Sequence, residues 1–230
     1  MLAAVVGAVV GSGIAPAAAR PAHQRAAPRT PDPVLLVHGF NGSGSGWQAM
    51  VAALVRAGWP PDSVDAMDYD SSLSNKEIAR QVGAEVAALK ARTGAKRVDV
   101  VTHSMGAIST RWYLERMGGA ADVGAWASLG GVNGGTIWAY ACYVLAPCRE
   151  MVPTSSVLDD LARRFPLAGR THFVAWWSPC DEVIVPVENA RLPGARNVET
   201  GCIGHTAMRS DPTVVAQVVD FLRRPGQPVV

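Results

Sequence analysis

From Pro33 onward the chain alternates short apolar runs with longer segments whose apolar residues return every three to four positions. PVLLVHG is a continuous apolar run that ends in glycine, the pattern of a strand buried on both faces. GWQAMVAALVRAG then repeats at helical spacing and closes on Gly58. SVDAMDY reads as the next strand. SNKEIARQVGAEVAALKARTG reads as a long amphipathic helix, with Ile78, Val82, Val86, Ala87 and Leu89 near one face and Gly94 at its end. The rhythm continues with KRVDVVTHS as strand, MGAISTRWYLERMGG as helix, then ADVGAWASLGG, THFVAWWS and ARNVETG as strands, and DPTVVAQVVDFLRR as the last helix. Strands alternating with helices predict an α/β fold with a mostly parallel central sheet flanked by helices. In such sheets ligands sit at the C-terminal ends of the strands.

Residues 131–170 break this rhythm. The connection is far longer than the usual 2–6 residues. It contains GGTIWAYACYVLAPC and a short helical pattern around Ser156–Arg164. Two readings stay open: an apolar wall or small cap beside the ligand site, or an ordinary helix on the sheet edge. Trp47, Trp138, Tyr140 and Leu145 are candidates to line a ligand pocket.

The first 19 residues are apolar and uncharged and end in Ala17-Ala18-Ala19. They read as a secretory signal cleaved after Ala19, although the usual positive start is missing. Residues 20–31 read as a Pro-, Ala- and Arg-rich linker, and 32–230 as the folded domain that carries the function. The net charge of +2 changes when this leader and the linker are set aside. Arg20, Arg25 and Arg29 precede the first acid, Asp32, and without them 18 basic side chains face 19 acidic ones. A near-neutral globule lacks the clustered cations that nucleic-acid binding needs. Apolar residues make up 49% and charged residues 17%, which excludes a disordered chain. Cys142, Cys148, Cys180 and Cys202 form no C-x-x-C pair, so no zinc site is expected. An even count in an exported chain favours disulfides, with three connectivities open.

The chemistry concentrates in Thr102-His103-Ser104-Met105-Gly106, between a strand and a helix. A serine on such a turn exposes its hydroxyl over the sheet edge. The helix start behind it offers unpaired N–H groups and a partial positive charge. The first position is Thr102 where the G-x-S-x-G pattern has glycine, and a β-branched residue crowds the turn. Val37-His38-Gly39-Phe40 ends the first strong strand. The backbone N–H groups of Phe40 and Met105 are the candidate pair of oxyanion donors. Asn41-Gly42-Ser43 matches a glycosylation sequon but reads as a turn.

Of the five histidines, His205 lies in the glycine-bounded loop GCIGH after the strand ARNVETG, within reach of a base role toward Ser104. His38 and His103 read as structural. Asp181, at the end of the strand before, is the candidate acid. Glu182 is its nearest rival, with Asp159 and Asp160 as remoter ones. Cys180 and Cys202 flank the acid and the base, and a bridge there would tie both loops. This favours the pairing 180–202 and hence 142–148.

PVLLVHGF, VDVVTHSMG, SLGGVNGGT, SPCDEVIVP, GARNVE and GCIGHTAM together resemble the class 2 lipases of the α/β-hydrolase superfamily, small secreted bacterial lipases and esterases. The resemblance spans about Pro33 to Phe221. It implies an α/β-hydrolase fold, Ser104 as nucleophile, Asp181 as acid, His205 as base, and Phe40 and Met105 as oxyanion donors. Such lipases often carry a small non-glycine residue where this chain has Thr102. The expectation is a secreted, monomeric hydrolase of carboxylic esters such as triacylglycerols, needing no cofactor and no metal and touching a lipid interface transiently. An acyltransferase or polyester depolymerase on the same residues, or an inactive binding module, are the alternatives.

Overall fold

A computed structural model describes Ala3, residues 31–165, 171–227 and Val229. The leader and linker expected over 1–31 lie almost wholly outside the described residues. Residues 31–230 form one compact unit.

Six strands make one sheet: β1 (Val34–Val37), β2 (Val64–Met67), β3 (Val98–His103), β4 (Val123–Leu129), β5 (His172–Trp177) and β6 (Arg196–Glu199). Their spatial order is β2-β1-β3-β4-β5-β6, and every pair is parallel. β1, β3 and β4 are buried along their whole length, which is why they read as continuous apolar runs rather than as alternation. The alternation is nevertheless present in space. Leu35, Val37, Val100 and Trp126 enter the core on one face, and Val34, Leu36, Val101 and Ala127 the core on the other.

The first face is covered by α2 (Asn75–Thr93) and α3 (Gly106–Arg116), the second by α1 (Gln48–Arg56) and α6 (Pro212–Arg223). α2 starts on a capping box, with Ser74 accepting the Glu77 amide while Glu77 reaches back to Ser74, and stops at left-handed Gly94. Its buried stripe is Ile78, Ala79, Val82, Val86 and Leu89. Ala87, expected there, is exposed, because the helical repeat carries Ala79 inward one turn before Val82 and Ala87 just past the edge. α6 starts at Asp211, whose carboxylate accepts the Thr213 and Val214 amides.

The chain between β4 and β5 carries a 3-10 turn (Ile137–Cys142), α4 (Ala146–Met151) and α5 (Ser156–Ala162). The Cys142–Cys148 disulfide closes the 3-10 turn onto α4. α5 packs toward α3 through Val157, Leu158 and Leu161. The segment is thus both things the sequence left open: α5 is core, whereas Ile137–Leu145 presents a ridge outward. Ile137, Trp138, Tyr140, Tyr143, Val144 and Leu145 are all exposed, with Trp138 at 59% and Val144 at 88%. Trp47 was a pocket candidate, but it is fully buried against the α1–α6 face because the 3-10 turn before α1 swings it inward. No helix among the described residues is long and apolar enough to cross a membrane.

Candidate active site

The strand order reverses around β1: the chain steps from β1 out to β2, then back across to β3. That reversal leaves a crevice beyond the C-terminal ends of β1 and β3. β3 delivers Ser104 there, and β1 delivers Gly39 and Phe40.

Ser104 has φ 55°, a left-handed conformation that costs a non-glycine residue of order 1–3 kcal/mol. The surroundings hold it there. Its N–H donates to Leu129 O (3.2 Å), and its carbonyl accepts from Ala107 N (3.1 Å) and Val132 N (3.1 Å). Two glycines make the turn sterically possible. A Cβ on Gly39 would sit 2.7 Å from Ser104 Cβ. One on Gly106 would sit 2.5 Å from Thr102 Oγ1 and 2.6 Å from the His38 carbonyl. The space that Gly106 leaves is what Thr102 fills, and the buried Thr102 Oγ1 finds no hydrogen-bond partner among the described residues.

The β1 loop turns tightly, with Gly42 N on Gly39 O (3.1 Å) and Asn41 at φ 53°. His38 is fixed beneath it. Its Nδ1–H donates to Gly39 O (2.8 Å), its ring stacks on Tyr69 at 3.9 Å and 4°, and the Tyr69 hydroxyl donates to its carbonyl. Burial lowers the His38 imidazole below its ordinary pKa and raises the Tyr69 phenol above its own. Among the described residues, the Phe40 and Met105 amides donate to no backbone carbonyl.

Asp181 and His205 come from the loops after β5 and β6. His205 Nδ1 lies 2.8 Å from Asp181 Oδ2, and Asp181 Oδ1 accepts the Val183 and Ile184 amides at 2.9 Å each. Both carboxylate oxygens therefore have a partner, and Nδ1 is the ring nitrogen that donates to the acid. Four further links tie the two loops. Ser178 Oγ donates to Gly201 O (2.9 Å) and accepts Ile203 N (3.0 Å). Glu182, the rival acid, accepts the His205 amide at 3.0 Å and so positions the backbone instead of the ring. Cys180 and Cys202 are bridged. On the other side His103 Nε2–H donates to the His205 carbonyl (3.0 Å), with the two rings 4.5 Å apart. Burial, reinforced by His205 and Arg209 nearby, holds His103 well below the ordinary imidazole pKa, so it stays neutral. Asp160 pairs with Arg163, and Asp159 is exposed on α5, so neither reaches the crevice.

Ser104 and His205 line one cavity of about 410 Å³. Ser104 is 8% exposed, His205 4% and Asp181 3%. Val132, Trp138, Ala139 and Met151 from the segment after β4 and Val183 from the loop after β5 give most of the apolar lining; Phe40, Asn41 and Gly42 line it from the loop after β1, and Thr206 and Arg209 from the turn after His205. Of the pocket candidates from sequence, Trp138 lines the cavity. Tyr140 and Leu145 stand on the exposed ridge instead. Arg209 was missed; its only trace in the sequence is its place four residues after His205, one turn further on. No three His, Cys, Asp or Glu side chains gather as a metal-ligand set among the described residues.

A hydroxyl on a strained strand–helix turn, sharing a cavity with an imidazole paired to a buried carboxylate, is the kind of arrangement that serine hydrolases of α/β fold use. The class 2 lipase family matches residues 31–191, which is most of the chain. The chain belongs to that family, and its class of activity is carboxylic ester hydrolysis. Solved structures share the fold. The mature Bacillus licheniformis lipase BlEst2 is 16% identical with a TM-score of 0.70, covering 84% of this chain and 91% of its own. Aspergillus fumigatus lipase B is 17% identical with a TM-score of 0.69, covering 84% and 52%. The Rhodococcus esterase RhEst1 is 17% identical with a TM-score of 0.60, covering 85% and 92%.

Proposed function

We propose that the protein is a secreted lipase or esterase that works through an acyl-enzyme on Ser104. Ser104 Oγ attacks the ester carbonyl carbon while its proton passes to His205 Nε2. The carbonyl electron pair moves to oxygen, where the Phe40 and Met105 amides hold it. The intermediate collapses, the alcohol leaves with the proton from His205, and Ser104 carries the acyl group. Water then attacks, again giving its proton to His205, and the acid departs as Ser104 recovers its proton. Asp181 holds the Nδ1–H and balances the imidazolium. The single observation that carries this reading is that His205, paired to the buried Asp181, lines the same cavity as Ser104.

The acyl chain lies along the apolar wall ending at Trp138. The exposed ridge Trp138–Leu145 continues that wall outward and meets the lipid–water interface, since aromatic and aliphatic side chains are favoured there. Two disulfides fit an oxidising destination, with residues 1–19 as signal peptide, 20–31 as linker and 32–230 as the catalytic domain. The protein acts as a monomer. The test is hydrolysis of p-nitrophenyl esters of two to sixteen carbons, with Ser104→Ala alongside. Serine-dependent turnover, lowered about 10⁶-fold in the variant, is expected. Equal rates in both proteins would remove Ser104 from the mechanism.

A further inference from the structure

The cavity holds one fixed charge, and the ester chemistry above does not use it. Arg209 ends the 3-10 turn Thr206–Arg209 and lines the cavity with Ser104 and His205. Its guanidinium is held in place. A Cβ on Gly46 would lie 2.1 Å from Arg209 Nη1, so the group packs directly on bare backbone. Among the described residues its Nε is buried with no acceptor, and none of the ion pairs includes it. Asp68, the acid of the neighbouring loop, accepts the Gly44 amide at 2.7 Å instead. Burial lowers the Arg209 pKa from its ordinary value, yet a guanidinium remains charged at any working pH. Native proteins seldom leave a half-buried cation without an acceptor, because desolvation is then uncompensated.

The position says which part of a substrate meets it. Most of the apolar lining comes from the segment after β4, Arg209 packs on Gly46 of the loop after β1, and β3, which carries Ser104, lies between β1 and β4 in the sheet. With the acyl chain on the apolar wall, the alcohol part extends toward Arg209. We propose that Arg209 binds an anionic group on the alcohol part of the ester, so that the preferred substrates are acyl esters of alcohols bearing a carboxylate or a phosphate. A planar guanidinium with no acceptor among the described residues suits either anion. This deepens the reading of the site as an ester hydrolase and rests on it.

The experiment uses two matched pairs: 3-carboxyphenyl butyrate against phenyl butyrate, and hexanoyl glycerol 3-phosphate against monohexanoylglycerol. The readout is the ratio of kcat/KM within each pair. The wild type should favour the anionic member roughly tenfold or more in at least one pair, as expected for a charge-assisted contact in a partly dry site. The phosphate pair alone responding identifies a phosphate ester; both responding identifies an anion of either kind. Arg209→Gln should collapse the ratio, and Arg209→Lys should keep part of it. Melting temperatures of both variants separate a binding effect from misfolding. Binding of the same intact esters to Ser104→Ala gives an arm independent of turnover. There the anionic ester should bind tighter, and the advantage should vanish in Ser104→Ala/Arg209→Gln. Equal ratios in wild type and Arg209→Gln, or no binding advantage for the anion, would overturn the proposal. Undiminished hydrolysis by Ser104→Ala would instead overturn the ester-hydrolase mechanism.

Discussion

Asp181→Asn perturbs the proposed machinery with almost no change in shape. Asp181 serves two sets of donors: Oδ1 takes the Val183 and Ile184 amides, and Oδ2 faces His205 Nδ1. An asparagine has one oxygen and can satisfy one set. If that oxygen turns to His205, the amide NH₂ confronts two buried N–H donors, and orphaning both costs about 2–6 kcal/mol. The oxygen therefore stays on the backbone pair, and the NH₂ points at His205. Nδ1 must then accept, which moves the imidazole proton to Nε2. An Nε2–H imidazole cannot take the Ser104 proton. The expected loss in kcat is about 10⁴-fold, as known for the same change in a comparable serine enzyme, or about 5 kcal/mol of barrier. The fold should lose less, about 2 kcal/mol, because the two backbone bonds persist without their charge. The assay is kcat on p-nitrophenyl butyrate together with a urea melt. A folded Asp181→Asn protein with kcat within tenfold of wild type would refute the tautomer argument, and with it the assignment of Asp181.

Three other outcomes follow from the same structure. The Cys180–Cys202 bridge closes 22 residues, so Cys180→Ser/Cys202→Ser should lose about 3 kcal/mol in the chain-entropy description, seen as a Tm lowered by about 6–12 °C. The Cys142–Cys148 bridge closes only 6, and its removal should cost about 2 kcal/mol; equal losses would contradict the loop-length argument. Stability should also respond to acid through His38 and His103, which burial holds below their ordinary pKa. Below about pH 6.5 the unfolded chain takes up protons that the native chain refuses, so these two groups make stability fall as pH falls. Asp99 works in the opposite sense. Buried, beside Asp32 and accepting the Ala125 amide, it is raised well above the ordinary carboxyl value and stabilises the native state as pH falls. Asp99→Asn should therefore lose more stability than wild type between pH 7 and 5 in urea melts; a smaller loss would contradict the sign.

The fold was legible because β1, β3 and β4 are buried on both faces, and double burial writes itself as unbroken apolar runs. Gly58 and Gly94 marked helix ends through local chemistry that needs no tertiary context, whereas the caps Ser74 and Asp211 emerged only from the structure. The stretch 131–165 was only half legible. Trp138, Tyr140 and Tyr143 carry the same residue types whether they pack inward or stand on a ridge, and periodicity does not separate the two. Trp47 shows the reverse ambiguity, for an aromatic beside the β1 loop fits a pocket or a core equally well. In the site, Ser104, Asp181 and His205 stood out because each follows a strand whose C-terminal end faces the crevice. Arg209 did not, since nothing local says that a surface-looking arginine will fold over Gly46 into a cavity. The place of Glu182 on the His205 amide was hidden for the same reason, as it depends on two loops meeting.

The central claim is that Ser104 is the nucleophile, and covalent trapping tests it most directly. The wild-type protein is treated with a hexyl fluorophosphonate, its intact mass is measured, and the adduct is located by peptide mass spectrometry. The account predicts one adduct per chain, on Ser104, absent from Ser104→Ala and slowed in Asp181→Asn. A folded protein that takes up no phosphonate, or takes it up on another residue, would contradict it.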